Sequence, residues 1–436
     1  MVSIHLQNHA SVIIDIAGVR ILCDPWYFDT CFEGGWGLKY QNADALEHVR
    51  SCQYLWVSHF HPDHYHVPTL KAILQRNPDI HFIGNRSYNF QLDEAARTIG
   101  FTNVTSLSER KPLHLTETLQ ITRYPVTGTD NMLLIRSPEA VILNYNDCVL
   151  PPRTKRRMAR KLGPIDVFLN NFNHAGKLLK QPRPADDVLR TMLIANFRGN
   201  WEPYHPRWVI PFASHHYYRA AESQDQNSSL LNVTDLAAVS DHIVPLQVGQ
   251  TMQFDPSSKQ VRIDENHDRV STSAYSTLEH AKSVEIAQLV ENGRSYAAKL
   301  RKAYPLISRF LPSLFIYLTD HRQSASLKAP AGFRLENRDE AACHISAHSE
   351  AIQKWFTKPY GSDSFVVGAH FRINTSKLGA LKLYIVCALL IENRLDLRSV
   401  FSMLWTASGI RFLWNRREEI AGMLLSRRIS AADYQR

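Results

Sequence analysis

The hydrophobic positions of the first 250 residues predict short strands joined by turns and covering helices. Two apolar runs, 11–16 and 19–23, flank Ala17-Gly18, a turn signal typical of a β-hairpin. Further runs of strand length lie at 54–57, 80–84, 120–124, 132–135, 141–144, 166–170 and 208–212. Helical periodicity over 69–76 ends at Asn77-Pro78. The pattern predicts an α/β fold of the αββα type, in which two sheets pack face to face between helices.

The pattern changes near residue 256 and predicts a first domain over 1–255 and a smaller α+β domain over 256–436. The expected elements of the second domain are a helix over 277–302, strands over 315–318 and 364–373, and helices over 378–392 and 397–413. Phe315-Ile316-Tyr317-Leu318 and the segment 355–364 weakly resemble sterol-carrier-type folds, which implies an apolar groove for a lipid-like group. A lid over the first domain or a homodimer interface is the other interpretation.

Charge and cysteine content narrow the classes of partner. The excess of nine positive charges is partly concentrated at 153–161, which favours a small anionic substrate or an acidic surface. Basic and aromatic residues do not interleave, which argues against nucleic acid. The six cysteines form no Cys-x-x-Cys pair, so we expect reduced thiols. The chain begins without a signal peptide, and its longest apolar stretch, 378–391, is too short to span a bilayer, so we expect a cytoplasmic protein.

The most informative motif is His59-Phe60-His61-Pro62-Asp63-His64, directly after the apolar run 54–57. Three imidazoles and a carboxylate on one short loop are what a site for two metal ions needs, with ions roughly 3.5–4 Å apart. A histidine-rich surface loop is the alternative interpretation. We therefore predict a metal centre with His59, His61, Asp63 and His64 as ligands.

Later strand ends must supply the remaining donors. Asp147 follows a buried strand, where a carboxylate is costly unless it is paired, so we predict that it bridges the two ions. Either His215 or His216 is the expected last ligand, with His216 preferred. His174, on a loop of the same rim, is a candidate catalytic residue, metal ligand or substrate contact, or else a solvated loop histidine.

Four further residues are assigned smaller or additional roles. His9 and His66 are expected to support the ligands from behind or to be ordinary polar residues. Trp36, in the glycine-rich segment 32–37, is predicted to line the substrate pocket. Arg153, shortly after Asp147, is predicted to hold a phosphate or carboxylate, against the alternative of a solvated helix face.

The ordered motifs of the first domain resemble a known family. The set comprises Asn8-His9-Ala10-Ser11, Asp24-Pro25-Trp26, Gly34-Gly35-Trp36, the His59–His64 motif, and Asn144-Tyr145-Asn146-Asp147. The His-x-His-x-Asp-His spacing is the signature of the metallo-β-lactamase superfamily. Together the motifs resemble the metallo-β-lactamase-like domain of CMP-N-acetylneuraminate hydroxylase over about residues 3–255. This resemblance implies an iron-using monooxygenase acting on a sugar nucleotide or a similar anionic molecule.

Two departures from that family bear on the chemistry. The Cys-x-His and Cys-x-x-His pairs of its Rieske domain are absent, so electrons would come from a separate electron-transfer protein, or the reaction is not redox. The family also has a third histidine before an apolar strand, whereas 124–130 contains none. Asp130 would substitute, or the first ion would be weakly held. Histidine with added oxygen ligands suits iron or manganese better than zinc, and iron is the expected metal, with zinc or manganese as alternatives.

Three functional hypotheses follow from these residues. The first is a dinuclear, diiron oxygenase or hydroxylase. The second is a metal-dependent hydrolase of phosphodiesterase or lactonase type, in which Asp63 orients a metal-activated water and takes its proton. The third is a binding protein with a decayed site, against which the ordered donors argue.

Overall fold

The computed structural model describes residues 1–86, 91–126, 130–257, 260–264, 268–415 and 417. Its first domain contains two large sheets. The eight-stranded sheet has the spatial order Val261–Asp264, Thr251–Phe254, Val2–Asn8, Ser11–Ile16, Val19–Cys23, Tyr54–Trp56, His81–Asn85 and Val104–Leu107. The six-stranded sheet has the order Pro112–His114, Gln120–Pro125, Asn131–Arg136, Val141–Asn146, Val167–Asn170 and Trp208–Pro211. In each sheet an antiparallel part continues into parallel strands, whose carboxyl ends share one edge.

The core of this domain lies between the two sheets. Alternate residues of their strands, such as Ile4 and Ile14 on one side and Ile135 and Leu169 on the other, form one fully buried cluster. The outer faces are covered by the helices Ala45–His48, Val67–Arg76, Leu92–Ile99, Pro152–Leu162, Asp186–Trp201 and Val233–Ala237. The predicted αββα sandwich is therefore confirmed.

Small strands extend the rim of the sandwich. The strands Thr30–Cys31, Trp36–Leu38 and His216–Tyr218 form one sheet, and Tyr40–Asn42 pairs with Val270–Thr272. Val261–Asp264 and Val270–Thr272 lie beyond residue 255 yet pair with strands of the first domain.

The remaining described residues form a smaller α+β unit with its own core. Its mixed sheet has the order Gly332–Glu336, Gln323–Lys328, Leu314–Leu318, Ile345–Ala347 and Arg372–Ile373. The helices of this unit are Ile286–Ala303, Ile307–Phe310, Ser349–Thr357, Gly361–Val367, Gly379–Glu392, Leu397–Leu404 and Ala407–Asn415. Leu300, Ile316 and Trp355 lie at the centre of the apolar cluster that joins sheet and helices.

Three predicted elements of this unit are wrong or displaced. Of the strand expected over 364–373, only Arg372–Ile373 is a strand, and 364–367 belong to the helix Gly361–Val367. Glu392 favours this helix because it accepts hydrogen bonds from its first free N–H groups. The helix expected from residue 277 begins at Ile286, since the preceding segment bonds to the start of Ser349–Thr357. The helix expected over 397–413 is divided before Ala407, where the Thr406 hydroxyl accepts from the Gly409 N–H.

Within the described ranges, every helix is too short or too polar to cross a bilayer.

Candidate metal centre

The predicted ligands meet at the edge where the strands of both sheets end. The His59–His64 loop follows Tyr54–Trp56, Asp147 follows Val141–Asn146, and Asp130 directly precedes Asn131–Arg136. Three non-glycine residues near this edge adopt left-handed backbone conformations: Asp24 (φ 43°), Asn146 (φ 57°) and Ala213 (φ 54°). Such strained turns cluster where loops are shaped for function.

A first group of donors consists of His59, His61 and Asp130, whose ligand atoms lie within 4.8 Å of one another. The Ser58 hydroxyl, 2.8 Å from His59 Nδ1, leaves His59 Nε2 facing His61 Nδ1 at 2.8 Å. Asp130 Oδ1 is 3.7 Å from His59 Nε2, and burial raises the pKa of Asp130 to about 6. Asp130 thus lies beside both histidines of the first group.

A second group surrounds His64, which is fully buried. His64 Nε2 is 3.0 Å from Asp147 Oδ2 and 3.3 Å from Asp63 Oδ2. Asp147 also lies within 4.8 Å of both His59 and His64, so its carboxylate reaches both groups. This is the position required of a carboxylate that bridges two ions.

The rings of His215 and His216 lie in different surroundings. His216 lies beside His9, with ring centroids 5.4 Å apart, and the Trp36 ring stacks on the His216 ring at 3.7 Å. His215 instead contacts the rings of Tyr40 and Phe172. Burial lowers the pKa of both, that of His215 to about 3, so their ring nitrogens keep lone pairs. His216 therefore lies nearer the Asp63 side of the site.

Asp24 supports the second group and was missed as a functional residue. Its Oδ1 accepts a 2.7 Å hydrogen bond from the Ser58 N–H, and its Oδ2 accepts a 2.6 Å bond from Asn146 Nδ2. The same Oδ2 is 3.4 Å from His64 Nδ1, which leaves His64 Nε2 for the site. In the sequence, Asp24-Pro25-Trp26 contributed to the family resemblance, but no role was predicted for Asp24.

The two histidines given minor roles differ in the structure. His9 Nε2 lies 3.2 Å from Asp63 Oδ2, so His9 holds a candidate ligand from behind. His66 caps the helix Val67–Arg76 by accepting from the Thr69 N–H. His9 therefore supports a candidate ligand, whereas His66 is an ordinary polar residue at the start of a helix.

The residues assigned to catalysis and substrate have mixed surroundings. His174 Nδ1 is 2.9 Å from the Tyr218 hydroxyl, while burial lowers the pKa of His174 to about 4. Trp36 is buried against His216 and Phe32, so it forms an inner wall of the site. Arg153 lies exposed in the first turn of Pro152–Leu162. The roles of His174, Trp36 and Arg153 stay predictions.

The donors fit metal ions for a reason besides their spacing. Asp63 Oδ1, Asp147 Oδ1 and both ring nitrogens of His216 are buried atoms without a hydrogen-bond partner in the described part of the chain. Buried polar atoms are rarely left unpaired, and cations would satisfy both carboxylate oxygens and the one His216 nitrogen that carries a lone pair. Imidazole and carboxylate donors suit iron, manganese or zinc.

The first domain is similar to known proteins. Residues 3–170 match the family model described as a β-lactamase superfamily domain. Cytidine monophosphate-N-acetylneuraminic acid hydroxylase of Mus musculus is 34% identical over 229 residues, which are 49% of this chain and 39% of that protein. The protein of Homo sapiens, named an inactive hydroxylase of this kind, is 28% identical over 226 residues, covering 49% and 45%. This chain thus spans less than half the length of these curated relatives.

Among solved structures, the diiron β-hydroxylase CmlA from Streptomyces venezuelae is similar at 16% identity and a TM-score of 0.41. The similarity covers 58% of this chain and 54% of CmlA. Isothiocyanate hydrolase from Delia radicum gut bacteria is similar at 15% identity and a TM-score of 0.41, covering 58% and 99%.

The match of residues 3–170 to this family model agrees with the metallo-β-lactamase resemblance that the motif predicted. In sequence the chain is similar to the cytidine monophosphate-N-acetylneuraminic acid hydroxylases over about half its length. It carries a domain typical of metal-dependent enzymes.

Proposed function

We propose that the protein is a diiron hydroxylase acting on a small anionic molecule such as a sugar nucleotide. The observation that carries this proposal is the sequence similarity to proteins named as hydroxylases of a cytidine monophosphate sugar. The donor set supports it, because Asp130 takes the place of a histidine and makes the centre richer in oxygen ligands.

Each donor has a role in this proposal. His59, His61 and Asp130 hold the first ion, Asp63, His64 and His216 hold the second, and Asp147 reaches both. When bound, the irons supply the capacity to activate dioxygen. One oxygen atom enters a C–H or N–H bond of the substrate and the other leaves as water, with two electrons from a separate electron-transfer protein and two protons.

The surrounding side chains orient the donors and move protons. His9 on Asp63 Oδ2 leaves Asp63 Oδ1 free to bind metal or take a proton. His174 Nε2, which has no hydrogen-bond partner among the described residues, is assigned a proton exchange with substrate. Trp36 excludes water behind His216, and Arg153 is assigned to an anionic group of the substrate.

Hydrolysis is the second candidate function. The observation that favours it is Asp63 Oδ1, a buried oxygen without a hydrogen-bond partner in the described ranges, which is free to accept from a water. Two zinc or manganese ions lower the pKa of a bound water to about 7, which generates a hydroxide nucleophile. Asp63 would then orient that water, and phosphodiesters or lactones would be substrates.

Metal content and oxidation state test the proposal. Protein expressed in ⁵⁷Fe medium and purified without added metal is analysed by elemental analysis and Mössbauer spectroscopy. Two irons per chain, with a coupled diferric signal that is regained in air after reduction, support the hydroxylase. Two zincs, or irons that do not react with oxygen, refute it and favour the hydrolase. Metal far below one ion per chain refutes both and revives the decayed site.

A pair of variants controls for adventitious metal. H64A removes a candidate ligand at the centre of the site, so it is expected to lose at least one ion per chain. H66N changes a histidine two residues away that caps a helix, and asparagine is also a good cap. H66N is therefore expected to keep the metal content of the wild type. Equal loss in both variants would contradict the assignment of His64.

A further inference from the structure

The second domain touches the metal motif of the first through one carboxylate. Asp363 lies in the first turn of the helix Gly361–Val367, and its Oδ2 is 3.1 Å from His61 Nε2. The two side chains are 17% and 31% exposed, so the contact is largely shielded from water. Fully exposed ion pairs contribute little to stability, so a contact that is shielded from water is a better candidate for a defined role.

The geometry identifies which nitrogen of His61 faces the ions. His61 Nδ1 lies 2.8 Å from His59 Nε2, at the centre of the first donor group, whereas His61 Nε2 faces Asp363. A histidine that binds metal with one nitrogen commonly donates its other N–H to a carboxylate, which fixes both the ring and the tautomer. Asp363 is placed to do this for His61.

A similar arrangement on the other side of the centre supports this interpretation. Asp24, from within the first domain, approaches His64 Nδ1 and leaves Nε2 toward Asp63 and Asp147. Each group of donors thus has a histidine with a carboxylate behind it. The carboxylate for His61 comes from the second domain.

The helix that carries Asp363 is fixed at both ends. Glu392 accepts hydrogen bonds from the N–H groups of Ser362 and Asp363, at 2.8 and 3.2 Å. At the other end, the Lys177 N–H donates to the Val366 carbonyl oxygen at 2.9 Å.

The loop after that helix also docks on the rim of the first domain. His370 Nε2 contacts the Phe32 carbonyl oxygen at 2.7 Å. The backbones of Gly35 and Gly368 approach so closely that a Cβ on Gly35 would lie 2.5 Å from the Gly368 oxygen. Asp363 therefore lies on a helix that is packed against the first domain, and not on a free loop.

We propose that Asp363 is a positioning residue that holds His61 for the first metal ion, so that the second domain completes the metal centre. This inference rests on the metal binding in the proposed function, but not on whether the reaction is oxygenation or hydrolysis. It assigns the second domain a role in the site itself, beyond that of a lid.

Cobalt(II) binding to the metal-free full-length protein tests this role. Wild type, D363N, D363A and E33Q are titrated against a competing chelator, and the visible d–d absorption reports the ligand geometry. Loss of an outer carboxylate typically costs 10–100-fold in metal affinity, so D363A is expected to weaken the first site by roughly that factor. D363N, which keeps a neutral acceptor, is expected to fall between D363A and the wild type.

E33Q is the matched control, because Glu33 forms another contact between the domains, 3.7 Å from Lys354 Nζ. It is expected to bind cobalt like the wild type. D363A and E33Q should also share the thermal midpoint of the metal-free wild type within about 2 °C, so that a lost fold is distinguished from a lost ligand orientation.

The outcomes separate this inference from the proposed function. Two bound cobalt ions with equal affinity and spectra in wild type, D363A and E33Q would overturn the role of Asp363 and leave the hydroxylase proposal standing. Weakened binding in D363A, in a protein whose native metal is zinc, would support Asp363 and refute the hydroxylase. Wild type that binds no cobalt would overturn both.

Discussion

Replacing Asp24 by asparagine tests whether the site is held together without metal. The Asp24 carboxylate is completely buried and accepts hydrogen bonds from the Ser58 N–H and from Asn146 Nδ2. These donors come from the ends of strands in different sheets, since Ser58 follows Tyr54–Trp56 and Asn146 ends Val141–Asn146. The carboxylate therefore joins both sheets at the edge where the site forms.

The expected magnitude follows from the number of bonds lost. A hydrogen bond to a charged acceptor contributes about 1.5–3 kcal/mol. In D24N one acceptor oxygen becomes an NH₂ group, so one of the two donors loses its partner, and unfolding should become easier by about 1.5–3 kcal/mol. D24A loses both bonds and should cost about 3–6 kcal/mol, a large part of a typical domain stability of about 5–15 kcal/mol.

The assay is urea unfolding of chelator-treated protein, followed by circular dichroism and by tryptophan fluorescence. D15N is the control, because Asp15 is 40% exposed and forms a surface ion pair, with its Oδ2 3.6 Å from Arg20 Nε across a hairpin. Such a pair contributes about 0–1 kcal/mol. If D24N unfolds within about 0.5 kcal/mol of D15N, the carboxylate does not join the sheets and the reasoning fails.

Three further predictions concern the last ligand, the domain interface and the core. H216A should lose one metal ion per chain by elemental analysis while H215A keeps both, since only His216 adjoins His9 and Trp36; the reverse result would exchange the two assignments. Burial lowers the pKa of His370 to about 4 from 6.5, so the unfolded chain binds the proton first as pH falls. The wild type should therefore have this stability in full above pH 6.5 and lose up to about 3 kcal/mol toward pH 4, at 1.36 kcal/mol per unit. In H370Q, the free energy of unfolding measured in urea should fall less between pH 6.5 and pH 4 than in the wild type. The same dependence on pH in both proteins would contradict a buried neutral His370. L169A, in the core between the sheets, should cost about 2–5 kcal/mol by the same assay, and an equal effect of L306A, at a position 70% exposed, would refute the location of that core.

The local features of this protein were predictable from its sequence, because they depend on neighbours along the chain. Side chains alternate along a strand, so apolar runs marked the strands from 11–16 to 208–212. The donors of His59, His61, Asp63 and His64 share one loop, so their spacing alone indicated a metal centre. Asp147 was predicted from its place after a buried strand, whereas Asp130 was proposed only because the resembled family has a histidine in that segment.

Tertiary structure decided which distant residues support those donors. His9 meets Asp63 across 54 residues, Asp24 meets Asn146 across 122, and Asp363 reaches His61 from the second domain. No spacing along the chain encodes such contacts. The choice between His215 and His216 likewise depended on which ring faces His9. The strand expected over 364–373 was wrong because Glu392, remote in sequence, stabilises a helix start at Gly361. Pattern and spacing are local properties, whereas the partners of a buried polar group are set by packing.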